Sequence, residues 1–265
     1  MPLLVVYNPI CGNGSARAFF RAHVLPLLEK HGKFIDKLAC TDRTGHAADI
    51  ALDFLKSTEG RITIVLGSGD GTLQEIVDVI SSHGSRSFPR EIQFVLVPCG
   101  TANALYSSFF HASDQNKLND VEYKLRSVRS FIGDAKPIPL NIAITTLSSP
   151  PPAPKVPVVI ISVVVVSTSL HAAILHDSEN LRAEMPGLDR FKVAAHRNAS
   201  RWYNGSVKLL PATSAGVVQV YSPSLKNFVT YGGSTETIPI VTLEGPFIYF
   251  LSTGLQPRII LKGFY

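Results

Sequence analysis

The chain has 265 residues, 45% of them hydrophobic and 17% charged, with a formal net charge of +5 and a mean hydropathy of +0.19. A chain of this length and hydrophobicity buries a real core, which argues against general disorder. Its basic excess is modest and contains no Lys/Arg run, so it suits phosphate ligands or an anionic membrane surface and not nucleic acid.

The predicted elements alternate from the start. Leu3–Tyr7 is an apolar strand that ends at Asn8-Pro9, followed by Gly12-Asn13-Gly14-Ser15. Phe19, Phe20, Val24, Leu27 and Leu28 then recur at helical spacing, which predicts a helix over Ala16–Lys30 closed by His31-Gly32. Phe34–Cys40 reads as a weaker strand, Thr41–Gly45 as a turn and Ala47–Ser57 as a helix. Ile62–Leu66 is a strong strand, Gly67–Gly71 a turn, and Thr72–Ser82 a helix. Ile92–Val97 is another strand, and Pro98–Thr101 turns into a helix from Ala102. This fourfold β-α alternation predicts a doubly wound, Rossmann-like parallel sheet, with every strand-to-helix turn at its carboxyl edge.

The character changes after Lys136. Leu147–Pro157 carries Pro150, Pro151, Pro152, Pro154 and Pro157 and reads as an extended loop. Beyond it come the β-type runs Val158–Ser167, Val217–Tyr221, Phe228–Tyr231, Ile238–Leu243 and Phe247–Ser252, with a helix over Ala172–Leu181 among them. The reading is therefore a nucleotide-binding α/β domain over 1–136 and a β-rich, antiparallel second domain over 137–265. Val156–Val166 is the longest apolar stretch and falls well short of the ~20 residues of a membrane helix. The N-terminus has no charged leader, and Cys11, Cys40 and Cys99 have no paired spacing, so the expected compartment is reducing and cytoplasmic.

Three turns carry the chemistry. Ser68-Gly69-Asp70-Gly71-Thr72 joins an apolar strand to a helix, where glycines admit a phosphate and the helix start presents free N–H groups. An acid there would repel phosphate, so Asp70 reads as a group that takes the proton of an attacking hydroxyl or helps hold Mg²⁺. The structural alternative is a plain turn, with Thr72 and Glu75 as a capping box. Asn8–Ser15 and Pro98-Cys99-Gly100-Thr101-Ala102-Asn103 are further strand-to-helix turns, each weak alone. Neither a Walker A loop nor a Rossmann G-x-G-x-x-G is present.

As a set, these turns resemble the diacylglycerol kinase catalytic-domain superfamily, which includes sphingosine and ceramide kinases. The matching segments are Asn8–Gly14 for N-P-x-x-G-x-G, Thr41–Ala47 for T-x-x-x-G-H-A, Ser68–Glu75 for [SG]-G-D-G-T-x-x-E and Pro98–Asn103 for P-x-G-T-x-N. Ser178-Glu179, Arg182, Gly187 and Arg190-Phe191 resemble the family's S-E-x-x-R…G…R-[YF] stretch.

The resemblance implies ATP- and Mg²⁺-dependent phosphorylation of a lipid hydroxyl, on a sphingoid base or diacylglycerol, with transient contact to a membrane surface. It implies that Asn8, Gly12 and Gly14 line the ATP cleft, with Thr41 or Thr44 near it. Ser68, Gly69, Gly71 and Thr72 would contact phosphates or ribose, Asp70 would be the catalytic carboxylate and Glu75 its support. Gly100 and Thr101 would border the nucleotide, and Arg182 and Arg190 would meet the β- and γ-phosphates, a task suited to a planar guanidinium.

Two departures stand beside it. Sphingosine kinases hold the lipid head group with a carboxylate before S-E-x-x-R, and Leu175 stands at that place here, with Asp177 out of register. The family's C-terminal acidic D-G-E-type motif does not occur before Tyr265, so the second domain is expected to be incomplete, or the chain inactive. The rival readings are a kinase of NAD and a non-catalytic nucleotide- or lipid-binding remnant. His46 reads as helix-start packing, Trp202 and Tyr203 as turn residues or a lipid entrance, and Cys11 and Cys99 as small turn residues.

Overall fold

The computed structural model describes residues 1–82, 91–112, 120–140, 142–147, 158–211 and 215–253. The expected proline loop beyond Leu147 and the last residues before Tyr265 lie outside the described residues. By contacts the chain forms two compact units, one running to Val166 and the other over Ser167–Ser252. The shift in sequence character at Lys136 and this division at Val166 do not coincide.

The first unit opens with β1 (Leu3–Tyr7) and α1 (Ala16–Phe19). The helix continues through a π-helical stretch, Phe20–Val24, into α2 (Leu25–Lys30). Pro26, in the first turn of α2, has no N–H to give, and the Leu25 N–H reaches back five residues to the Phe20 carbonyl. There follow β2 (Lys37–Cys40), α3 (His46–Ser57), β3 (Ile62–Ser68), α4 (Asp70–Ser82), β4 (Ile92–Pro98), α5 (Ala104–Phe109), α6 (Val121–Lys124) and α7 (Arg126–Ile132).

The four strands form one parallel sheet in the order β2-β1-β3-β4. Strand alternation sorts their side chains between two cores. Leu4, Val6, Ile62, Ile64 and Leu66 face Ala51, Leu55, Leu73, Ile76 and Leu105 on one side. Leu3, Val5, Val65, Val95 and Val97 face Ala16, Phe20, Leu28, Val128 and Phe131 on the other. Helices cover both faces, so the sheet is doubly wound. Because β1 is covered twice, all five of its residues are buried. From β1 the chain steps outward to β2, then returns to place β3 on the opposite side. The carboxyl ends of β1 and β3 therefore flank the topological switch point, the place where such sheets bind ligands.

Two boundaries differ from the sequence reading near this point. β3 runs on through Gly67 and Ser68, which pair with Val97 and Pro98, so α4 starts at Asp70 and not Thr72. α5 starts at Ala104 and not Ala102, because Asn103 sits in the left-handed region at φ 52°.

After α7 come β5 (Ala143–Leu147) and β6 (Val158–Ser162), an antiparallel pair, and β7 (Val165–Thr168). The run read as one strand, Val158–Ser167, breaks at Val163 and Val164, which turn into the core of the first unit. Gln74 on α4 holds the break: its Nε2 donates to the Ile161 carbonyl, and its Oε1 accepts from the Val163 N–H at 3.3 Å.

The second unit holds α8 (Ser169–Asn180), α9 (Asp189–Asn198), β8 (Ser206–Leu209), β9 (Gln219–Ser222), β10 (Asn227–Thr230) and β11 (Val241–Glu244); β12 (Tyr249–Thr253) follows at its end. β9 pairs with β10 and β8 with β11, both antiparallel. The expected antiparallel, strand-rich character is present, with α9 as an added helix. Asn198 on α9 donates to Asp177 on α8 at 2.7 Å, which joins the two helices.

Candidate functional site

The sheet's hydrogen bonding continues past the strand ends and seats the loops side by side. Asn8 N donates to the Gly67 carbonyl at 2.9 Å, Thr41 N to the Tyr7 carbonyl at 3.0 Å, and Cys99 N to the Ser68 carbonyl at 3.1 Å. Four loops thus leave one edge from adjacent starting points.

Glycines then let these loops touch backbone to backbone. A Cβ on Gly100 would overlap the Cα of Gly69, and a Cβ on Gly12, whose φ is +57°, would overlap the Cys99 carbonyl oxygen. Gly71 has open space where its Cβ would lie, and Gly14 (φ +75°) has only the Pro9 carbonyl at 3.8 Å. The glycines therefore divide in two: Gly12, Gly69 and Gly100 hold loop against loop, while Gly14 and Gly71 leave room at the rim. Asn103 closes the third loop on itself, accepting from Gly100 N at 2.9 Å and donating to the Gly100 carbonyl at 2.8 Å.

Asp70 ties the second loop to the third. Its Oδ2 accepts from Ala104 N at 2.6 Å and its Oδ1 from Leu105 N at 3.1 Å, capping the otherwise unpaired N–H groups of α5. Each carboxylate oxygen has a second acceptor site, so the group keeps capacity for a ligand proton or a cation.

The capping box between Thr72 and Glu75, the structural alternative, does not form. Glu75 Oε2 instead accepts from Gly45 N at 3.1 Å, and Thr72 Oγ1 accepts from Ser68 Oγ at 2.5 Å. Because α4 starts two residues earlier than expected, Glu75 lies beyond capping register and reaches the Thr41–Ala47 turn. His46 Nδ1 lies 2.5 Å from the Asp42 carboxylate, a local role at the start of α3.

The structure thus brings Asn8, Gly12, Ser68, Gly69, Asp70 and Gly100 together, with Thr41 and Glu75 attached behind them. Gly14, Thr44, Gly71 and Thr101 are exposed on the same loops. Arg182 and Arg190 belong to the second unit. There Arg182 is exposed and pairs with Glu179 at 2.6 Å. Arg190 is only 2% exposed; its guanidinium donates to the Pro186 and Gly187 carbonyls at 2.7 Å and 3.2 Å and stacks on Phe191. Trp202 is 63% exposed, and Tyr203 pairs through its backbone with Phe247.

Sequence reasoning passed over Lys124. This half-buried residue ends α6, with its ammonium 5.5 Å from the ring of Phe19 on α1, and its charge acts on both Cys11 and Cys99. Among the described residues it has no carboxylate partner. The signal was present in Val121, Leu125, Val128 and Phe131/Ile132, whose helical spacing marks α6 and α7 and leaves Lys124 as the position next to the rim.

Residues 2–130 match the family model for the diacylglycerol kinase catalytic domain. This stretch is similar to the diacylglycerol kinase catalytic-domain family. Among relatives of the full chain, mouse mitochondrial acylglycerol kinase is 23% identical over 244 residues, covering 91% of this chain and 49% of that protein. Human sphingosine kinase 1 is 33% identical over 111 residues, covering 41% of this chain and 28% of that protein. The chain thus spans about half the length of the former relative and less of the latter. A solved diacylglycerol kinase from Bacillus anthracis superposes with a TM-score of 0.46 at 14% identity, over 79% of this chain and 58% of that one. These similar proteins are named as kinases of acylglycerol, sphingosine and diacylglycerol. No described helix is long and apolar enough to cross a membrane.

Proposed function

We propose that the part of this chain similar to the diacylglycerol kinase catalytic domain binds ATP with Mg²⁺ at the β1/β3 switch point and transfers the γ-phosphate to a lipid hydroxyl, on a sphingoid base or a diacylglycerol. The observation that carries this reading is the packing of three strand-to-helix loops, backbone against backbone, around Asp70.

The chemistry follows from those parts. Phosphoryl transfer needs positioning and charge neutralisation more than covalent help from the protein. The start of α4 offers backbone N–H groups and the positive end of a 13-residue helix dipole. Gly14 and Gly71 leave the space in which phosphate oxygens approach. Lys124, which has no carboxylate partner among the described residues, supplies positive charge beside the first and third loops. Asp70 takes the proton of the attacking hydroxyl through the acceptor sites that α5 leaves free.

The described residues contain no cluster of three His, Cys, Asp or Glu. Mg²⁺ commonly relies on one or two carboxylates plus substrate phosphates, and Asp70 fits that donor set. When bound, the cation supplies charge neutralisation at the phosphate oxygens. A lipid acceptor is presented at a membrane surface, so the proposal includes a cytoplasmic enzyme in transient contact with one.

The test is a purified chain incubated with Mg²⁺ and γ-labelled ATP against sphingoid bases, diacylglycerol, monoacylglycerol and NAD. Label in a lipid product, lost in Asp70→Asn, is expected. Label in NAD alone, or no transfer to any acceptor, contradicts the proposal.

A further inference from the structure

Cys11 and Cys99 lie on the first and third loops, and the proposed phosphotransfer gives neither a role. Cys11 is half-buried and its thiol donates to the Asn8 carbonyl at 3.0 Å, while Cys99 is buried at the end of β4. The two loops touch here, since the residue after Cys11 is the glycine whose Cβ would overlap the Cys99 carbonyl. Both side chains pack on one hydrophobic cluster, and each thiol acts on the other's affinity for its proton. Cys40 is also free but bonds to Arg17 on another part of the edge, at 3.6 Å.

The surroundings make the two thiols unequal. The neighbouring Cys99 thiol lowers the pKa of Cys11; burial opposes this, and the Ser68 hydroxyl and the Lys124 charge add to the lowering. The neighbouring Cys11 thiol, then burial, pushes the Cys99 thiol far up. An accessible, thiolate-prone cysteine beside a protonated resolving partner is the arrangement found in redox-sensitive pairs.

We propose that Cys11 and Cys99 are an oxidation site, at which a hydroperoxide converts the two thiols to a disulfide that staples the first loop to the third. The Cys11 thiolate attacks the peroxide oxygen, breaking the O–O bond and giving a sulfenic acid and hydroxide. The Cys99 thiol then loses its proton and attacks the Cys11 sulfur, displacing the sulfenic oxygen as water. In sum, two thiols and one hydrogen peroxide give one disulfide and two waters, with two electrons passing to the peroxide. In a reducing compartment such a bond is transient and reversible. The stapled loop loses the Cys11–Asn8 contact that shapes the rim, so oxidation weakens ATP binding. That consequence, though not the disulfide itself, rests on the function proposed above.

The experiment oxidises the full chain with hydrogen peroxide, blocks remaining thiols by alkylation, and maps peptides by mass spectrometry without reduction. A Cys11–Cys99 cross-linked peptide, two hydrogens lighter than the sum of its parts, is expected, with Cys40 alkylated and the link removed by dithiothreitol. Free Cys11 and Cys99, a sulfinic acid at Cys11 without the link, or a link to Cys40 overturns the proposal. Calorimetric titration with Mg·ATP on the same samples is expected to show at least a 10-fold weaker affinity when oxidised, restored by reductant. Equal affinity in the two states overturns the regulatory part. Failure of the reduced chain to bind ATP overturns the proposed function alone, because the peptide map needs no nucleotide.

Discussion

Asp70 accepts two backbone N–H bonds from α5 and still stands at the rim, so its replacement disturbs both fold and chemistry. Asp70→Asn trades one acceptor oxygen for a donor facing an N–H. Hydrogen bonds to charged groups contribute about 1.5–3 kcal/mol, and a loss of that size is expected in urea denaturation. Transfer activity is expected to fall at least ~100-fold, the usual scale for a proton acceptor. The glycines separate the two roles. Gly100→Ala drives a methyl into Gly69 and is expected to cost about 1–3 kcal/mol of stability. Gly71→Ala has open space, so denaturation is expected to move by less than ~0.5 kcal/mol while ATP affinity drops. Lys124→Met is expected to raise the KM for ATP roughly 10-fold, about 1.4 kcal/mol, with the fold intact; an unchanged KM contradicts a phosphate-facing role.

Among the elements, α4 does the most joining. Its first residue caps α5, Glu75 reaches Gly45, and Gln74 bonds both sides of the break after β6. Gln74→Ala leaves the Val163 N–H and the Ile161 carbonyl without their partner, and a stability loss of about 1–3 kcal/mol by chemical denaturation is expected. In α8, burial holds the His171 pKa below its ordinary value near 6.5. The unfolded chain then binds more protons below that value, so stability is full above about pH 6.5 and falls as the pH drops further. His171→Gln is expected to flatten this acid-side slope in pH-dependent denaturation.

The parallel sheet was legible because β1, β3 and β4 are apolar on both faces and each ends in a glycine-bearing turn. Asn8, Ser68, Asp70 and Gly100 were legible as parts of one edge for the same reason. What Asp70 and Glu75 bond to was not legible, since it depends on β3 running two residues further than its apolar run suggests. The helix α9 was missed because Asp189–Asn198 is mostly polar and buries only Arg190, Ala194 and Asn198. The break after β6 was not legible because Val163 and Val164 look like strand interior until Gln74 is seen to hold the chain there.

At the scale of the whole molecule, a basic chain of +5 carries an edge with the half-buried Asp70 carboxylate, two open glycines and Lys124. That balance suits a polyphosphate that brings its own cation, and a lipid acceptor at an anionic surface. The proposed function requires the loops of Asn8–Ser15, Gly67–Thr72 and Pro98–Ala104 to bind one nucleotide together. Hydrogen–deuterium exchange of the reduced full chain, with and without Mg·ATP, tests this most directly. Slowed exchange in peptides covering all three loops at once is the predicted result. Protection confined to one loop, or lying elsewhere on the chain, contradicts the account.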